Sequence, residues 1–200
     1  MLHLLADTLA TTLCRNLGID SSSKREIYVY GFMLLISTMF SAISILVIAA
    51  VLDQFVFACI FLVIYILLRM VSGGYHAMTY SRCYWSSLFT YLCVMNIALL
   101  PHKKWSVLLL VVFYSLIICL WAPITTPKHP LSDKKILRNR KLARLFVLIA
   151  DSWAIYRIDT NNVSDIVCVI VTSIAAVAVM MIIAKIQERR KRYECMGSNR

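Results

Sequence analysis

Apolar residues run through this 200-residue chain in long blocks separated by short polar clusters. Six blocks stand out, near 28–52, 54–70, 84–100, 105–122, 143–157 and 165–185. A helix that crosses a bilayer needs about 20 apolar residues, with a range of about 17–25. The first and last blocks meet that length, and the second, third and fourth are short but free of charge in their interiors. The fifth is short and contains Asp151. Asp53-Gln54 leaves only a tight turn between the first two blocks, which predicts a helical hairpin. Pro101-His102-Lys103-Lys104 makes a second tight connection. Ahead of the blocks, Leu2, Leu5, Leu9, Leu13 and Leu17 recur at spacings of three and four, with Thr8, Thr11, Thr12, Arg15 and Asn16 between them. That period predicts an amphipathic helix within residues 1–22, lying on the membrane surface or on the protein's own bundle. Ser23-Lys24-Arg25-Glu26 fits a capping box and predicts the start of the first long helix.

The expected fold class is therefore all-α: a polytopic membrane protein of about six transmembrane helices with an N-terminal amphipathic interfacial helix. Composition agrees. The chain is 60% hydrophobic with a mean hydropathy of +0.76, too apolar for a soluble domain. No Gly/Ser/Pro-rich linker, internal repeat or low-complexity tract divides it. One membrane domain over 1–200 is expected: the amphipathic helix at 1–22, a six-span bundle at 23–185 and a basic cytoplasmic tail at 186–200. No basic stretch precedes the first apolar residues, which argues against a cleaved signal peptide.

The net charge of +11 is read as topology. Basic residues flank the spans and form no soluble domain, so nucleic acid is excluded as a partner and membrane lipid is expected. With six spans and a cytoplasmic N-terminus, 18 of the 21 Lys and Arg residues face the cytoplasm; only Lys103, Lys104 and Arg157 face outward. Removing the fifth span would send Lys185, Arg189, Arg190, Lys191 and Arg192 outside, against the positive-inside rule. The chain is thus expected in the cell membrane, with both termini, residues 71–83 and a long loop from Pro123 to Lys141 on the cytoplasmic side.

Seven cysteines form no disulfide framework. Cys59, Cys93, Cys119 and Cys168 lie in apolar blocks, where Cys behaves as a small hydrophobe. Cys14 and Cys195 flank the bundle on its reducing side. No pair has zinc-ligand spacing, so no metal and no cofactor are expected. Cys83 differs. It lies between blocks, beside Arg82 and seven residues after His76, in Arg69-Met-Val-Ser-Gly73-Gly74-Tyr-His76-Ala-Met-Thr-Tyr-Ser-Arg82-Cys83. Cys is a nucleophile once it is a thiolate, and His is the usual base that makes it one. On a straight helix, residues seven apart share a face but are separated by about 10.5 Å, whereas proton transfer needs about 3 Å. A working pair therefore needs a turn or two helix ends. Gly73-Gly74 offers that break, since glycine accepts backbone angles other residues resist. Arg69 and Arg82 can favour a thiolate, and Arg69 can anchor a substrate carboxylate or carbonyl. Each of these residues also has an ordinary interfacial reading, and the spacing alone does not choose.

The whole string resembles the accessory gene regulator B family. The family pattern is an Arg, then Gly-Gly-x-His-Ala, then a Cys seven after the His. Arg69, Gly73, Gly74, His76, Ala77 and Cys83 match it. Ala122-Pro123, opening a stretch that continues to Pro130 and a Lys-rich run, is a weaker likeness. The resemblance implies a membrane cysteine endopeptidase that processes the propeptide of a cyclic autoinducer for quorum sensing. It implies His76 and Cys83 as catalytic, an autoinducer propeptide as substrate, a thioester intermediate on Cys83, and a thiolactone or lactone product. A homodimer is compatible with it.

Further candidates are weaker. Lys128, Lys134, Lys135, Arg138, Arg140 and Lys141 could attract an acidic propeptide tail or simply contact anionic lipid. Asp151 is an ionisable residue inside a span and is expected to pair with Arg144 or Arg157, or to be protonated; its depth argues against a third catalytic role. Ser72 and Thr79 could orient His76, and nothing in the spacing selects either. The competing reading is a small peptide or lipid transporter without covalent chemistry, because broken helices also occur at transporter binding sites.

Overall fold

The computed structural model describes residues 2–16, 22–72, 80–123, 133–160 and 164–197. Among these residues the chain is all-helical: α1 (Leu2–Asn16), α2 (Ser22–Val51), α3 (Phe55–Ser72), α4 (Tyr80–Ala98), α5 (Lys104–Trp121), α6 (Asp133–Asp159) and α7 (Asp165–Gly197). Each of the six apolar blocks lies on its own helix, from α2 to α7. Helix α2 begins one residue before the expected capping box. Asp53, in the three-residue connection to α3, adopts a left-handed backbone (φ 55°), a conformation Asp tolerates better than most residues. At the second tight connection, His102 Nε2 lies 2.7 Å from the carbonyl oxygen of Ile97, one of the last carbonyls of α4.

Four of the described helices are long and apolar enough to cross a membrane: Arg25–Val51, Phe55–Ser72, Lys104–Trp121 and Asp165–Gln187. Helix α4 carries Tyr, Ser, Thr and Asn through its length, and the first half of α6 is basic, so neither joins them. Large apolar side chains point outward. Leu35, Met39, Ile43 and Val47 of α2 and Leu109, Val112, Leu116 and Leu120 of α5 are all more than half exposed. Such stripes would be unfavourable in water and are at home in lipid. The architecture is that of an all-α, multi-pass membrane protein.

One boundary differs clearly from expectation. The basic stretch anticipated as a loop from Pro123 to Lys141 is helical from Asp133 onward, ten residues ahead of the apolar block. Lys, Arg, Leu and Ala are strong helix formers, and their propensity sums over three turns. At the other end α7 continues to Gly197, so most of the basic tail is helix.

The chain divides into two compact units, Met1–Asp53 with Ala77–Phe89, and Gln54–His76 with Thr90–Arg200. In the first, α1 packs on α2. The buried face of α1 is Ala6, Ala10 and Cys14, while Leu4 and Leu9 are exposed. On α2, Ser37, Ser41, Ile45 and Ala49 form a buried stripe at every fourth position. Small residues let helix backbones approach closely, which is how helices associate in an apolar medium. An Arg25–Asp7 ion pair at 2.7 Å joins the two helices; being exposed, it is worth at most about 1 kcal/mol.

In the second unit α7 is the core helix, packed on α3, α5 and α6. Of its most apolar stretch 61% is buried, against 33% for α3 and 22% for α5. Its hydroxyls bond within the helix: Thr172 donates to the Cys168 carbonyl at 2.6 Å and Ser173 to the Val169 carbonyl at 2.5 Å. No buried donor is left over at either position.

Candidate active site

Cys83 is the fourth residue of α4, in its first turn. Cys83 is half-buried and is not in a disulfide. The residues beside it hold the turn in place. Tyr84 donates its hydroxyl to Ser44 Oγ on α2 at 3.2 Å, and its ring lies 5.5 Å from that of Phe40, also on α2. Trp85 packs edge-on against Tyr84, and Ser87 donates to the Cys83 carbonyl at 3.0 Å.

Arg69 lies on a different helix from Cys83, in the last turn of α3. Its Nη1 donates to Tyr65 Oη at 2.7 Å, and its guanidinium carbon sits 5.5 Å from the centre of the Tyr65 ring. Ser72, the last residue of α3, is fully buried. Gly73, Gly74, His76 and Thr79 lie outside the described residues, as does the side chain of Arg82. Lys134 and Lys135 are exposed in the first turn of α6, and Lys128 lies outside the description.

Two residues of the basic run make specific contacts. Arg140 Nε donates to the carbonyl of Ala122 at 3.3 Å and Arg144 Nη2 to that of Cys119 at 2.9 Å. These carbonyls close the C-terminal end of α5, where helical acceptors lack partners and positive charge is favoured. Lys185 of α7 sits 4.0 Å above the ring of Trp121 at the same helix end, a cation–π contact.

The partners expected for Asp151 are corrected by the structure. Arg144 is engaged with α5, and Arg157 lies 6.0 Å from the Trp153 ring centre. Asp151 instead accepts from Tyr114 at 2.5 Å through Oδ1 and from Ser115 at 2.6 Å through Oδ2, both on α5. The carboxyl thus joins α5 to α6 through two hydroxyls 36 and 37 residues away in sequence. Among the described residues no cluster of three or more His, Cys, Asp or Glu could hold a metal ion.

Sequence reasoning passed over Tyr65, Tyr84 and Tyr114. For Tyr65 a signal existed, since it stands one helical turn before Arg69. Tyr84 and Tyr114 reach partners on other helices, and no spacing announces those.

Comparison with known proteins settles the family. The profile of accessory gene regulator B matches residues 6–184, nearly the whole chain. The chain belongs to the accessory gene regulator B family. A curated protein of Clostridium perfringens, AgrB-like protein 2 by description, is 27% identical over 159 residues, which is 74% of this chain and 72% of that protein. No solved structure matches. Membership supports a part in accessory gene regulator quorum sensing, in propeptide processing.

Proposed function

We propose that this accessory gene regulator B protein is a cysteine endopeptidase that cuts an autoinducer propeptide and supports its cyclisation. The observation that carries the reading is the family match over residues 6–184, which encloses every position of the Arg69, Gly73-Gly74, His76-Ala77 and Cys83 pattern. The thiol of Cys83, half-buried and outside any disulfide, supports a nucleophilic role.

In the proposed reaction, His76 takes the thiol proton and the Cys83 sulfur attacks the carbonyl between the propeptide's core and its acidic tail. The C–N bond breaks, and His76 returns the proton to the departing amine. The core stays on Cys83 as a thioester. A Cys thiol or Ser hydroxyl within the core then attacks that carbonyl, releasing the Cys83 thiol and closing a thiolactone or lactone. Exchange of one thioester for another is nearly level in energy, which suits a cysteine enzyme to the thiolactone case. Forming the first thioester from an amide is uphill, so removal of the tail or withdrawal of the ring must drive it. A site at the bilayer edge shelters the thioester from water.

The remaining elements of the reading are six spans, cytoplasmic termini, a cytoplasmic active site, lipid contact by the basic residues and a homodimer. The charge distribution carries the topology. The test is co-expression with a short acidic-tailed peptide encoded beside this chain, followed by mass analysis. Cys83→Ala and His76→Ala should each abolish cleavage while membrane insertion persists, and a hydroxylamine-sensitive adduct of the peptide core should form on Cys83. A Cys83→Ala protein that cleaves as wild type does would end the peptidase reading and favour a transporter.

A further inference from the structure

An arginine at the end of an apolar helix ordinarily extends away from the bundle, its stem along the lipid and its head toward phosphate and water. Arg69 does not. It folds back along α3 onto Tyr65, donating to the Tyr65 hydroxyl at 2.7 Å with the guanidinium facing the ring. The rung below is as tightly placed. Tyr65 stacks on Phe61 with centroids 5.1 Å apart and planes 17° from parallel. Phe61 in turn packs 5.5 Å from Tyr91 of α4 at 59°. Tyr65 is 5% exposed, and Phe61 and Tyr91 are fully buried. Phe61, Tyr65 and Arg69 stand at successive fourth positions, so they form a ladder along one face of α3. Its lower rungs are pinned in the core, and its top is a guanidinium four residues ahead of Gly73-Gly74 in sequence.

We propose that Tyr65 is the positioning residue for Arg69: it sets where the guanidinium meets a carbonyl or carboxylate oxygen of the peptide substrate. The inference rests on the peptidase reading and extends it to a residue outside the family pattern. The physical case is preorganisation. A long side chain loses rotamer freedom when it grips a substrate, and one already held by a hydrogen bond and a ring loses less. Arginine suits the post because its planar fork can bond Tyr65 through one nitrogen and stack at the same time. A lysine is a point charge and does neither well. Tyrosine suits it because a buried hydroxyl requires a partner and the ring face attracts the cation.

Two measurements on the full chain in lipid vesicles test this. The first uses phenylglyoxal, which modifies exposed arginines, with the adduct at Arg69 counted by peptide mass spectrometry. Tyr65→Phe keeps the ring and removes the acceptor, so Arg69 should react several-fold faster while Arg144 serves as internal reference. An unchanged rate at Arg69, or an equal rise at Arg144, overturns the proposal. The second uses the propeptide that wild type cleaves in the assay above. Tyr65→Phe should raise KM several-fold with little change in kcat, Arg69→Lys should do so more strongly, and the double variant should be no worse than Arg69→Lys alone. Effects that multiply independently would mean that Tyr65 does not act through Arg69, and would overturn it. Failure of the peptidase reading appears elsewhere, as unimpaired cleavage by Cys83→Ala. The phenylglyoxal rates do not depend on that outcome, so the two failures are read separately.

Discussion

Replacing Tyr114 by Phe isolates a single hydrogen bond at the junction of α5 and α6. Tyr114 is fully buried and donates to Asp151 Oδ1 at 2.5 Å. The substitution preserves the ring and its packing, so the change in stability is the bond itself. A buried acceptor that loses its donor costs about 1–3 kcal/mol in soluble proteins. Inside membrane bundles, side-chain hydrogen bonds average about 0.6 kcal/mol and reach about 1.7, because the unfolded chain also finds partners in the bilayer. Full burial and the short distance place this bond toward the upper end, at about 1–2 kcal/mol. Asp151→Ala removes the acceptor and orphans the Tyr114 hydroxyl, whereas Ser115 keeps the Val111 carbonyl, 2.7 Å away. The double variant should therefore cost no more than Asp151→Ala, giving a coupling as large as the Tyr114→Phe cost itself, about 1–2 kcal/mol. Unfolding of the four proteins by SDS in mixed micelles, followed by tryptophan fluorescence, measures it. Effects that add within about 0.3 kcal/mol would refute the bond.

Three further outcomes are expected. Reversing Lys134, Lys135 and Arg138 to Glu should raise the substrate concentration needed for cleavage without altering single-turnover chemistry at saturation, if the α6 helix end attracts an acidic tail; unchanged concentration dependence removes that role. Ala10→Leu inserts a branched side chain into the closely packed α1 face and should cost about 1–3 kcal/mol locally, read as faster hydrogen exchange in α1 with α7 unaffected. Tyr84→Phe removes the hydroxyl that holds the first turns of α4 to Ser44; Cys83 should become more reactive toward a bulky maleimide, and an unaltered rate would show that this contact does not restrain the turn.

Much of this protein is written along its length. Bilayer thickness and helix rise together dictate how long an apolar block must be, so the blocks of α2 through α7 were visible before any contact was. The motif from Arg69 to Cys83 was equally legible, because residue identity at fixed spacing is a one-dimensional property. Local propensity was underweighted in one place, where the basic run before the fifth block is α6 helix rather than loop.

Tertiary structure decided which face meets protein and which polar groups meet each other. The leucine spacing of α1 left open whether that face meets lipid or protein, and the face packed on α2 is Ala6, Ala10 and Cys14, with Leu9 exposed. Asp151 turned to Tyr114 and Ser115 instead of an arginine, and Arg140 and Arg144 turned to the end of α5. Arg69 folded back onto Tyr65 rather than out to the headgroups. The reason is physical. Hydrophobic periodicity measures how apolar a face is, and lipid accepts an apolar face as readily as a protein core does. Packing between helices in a bilayer is chosen by close approach and by satisfied hydrogen bonds, and both depend on partners that lie far away in sequence.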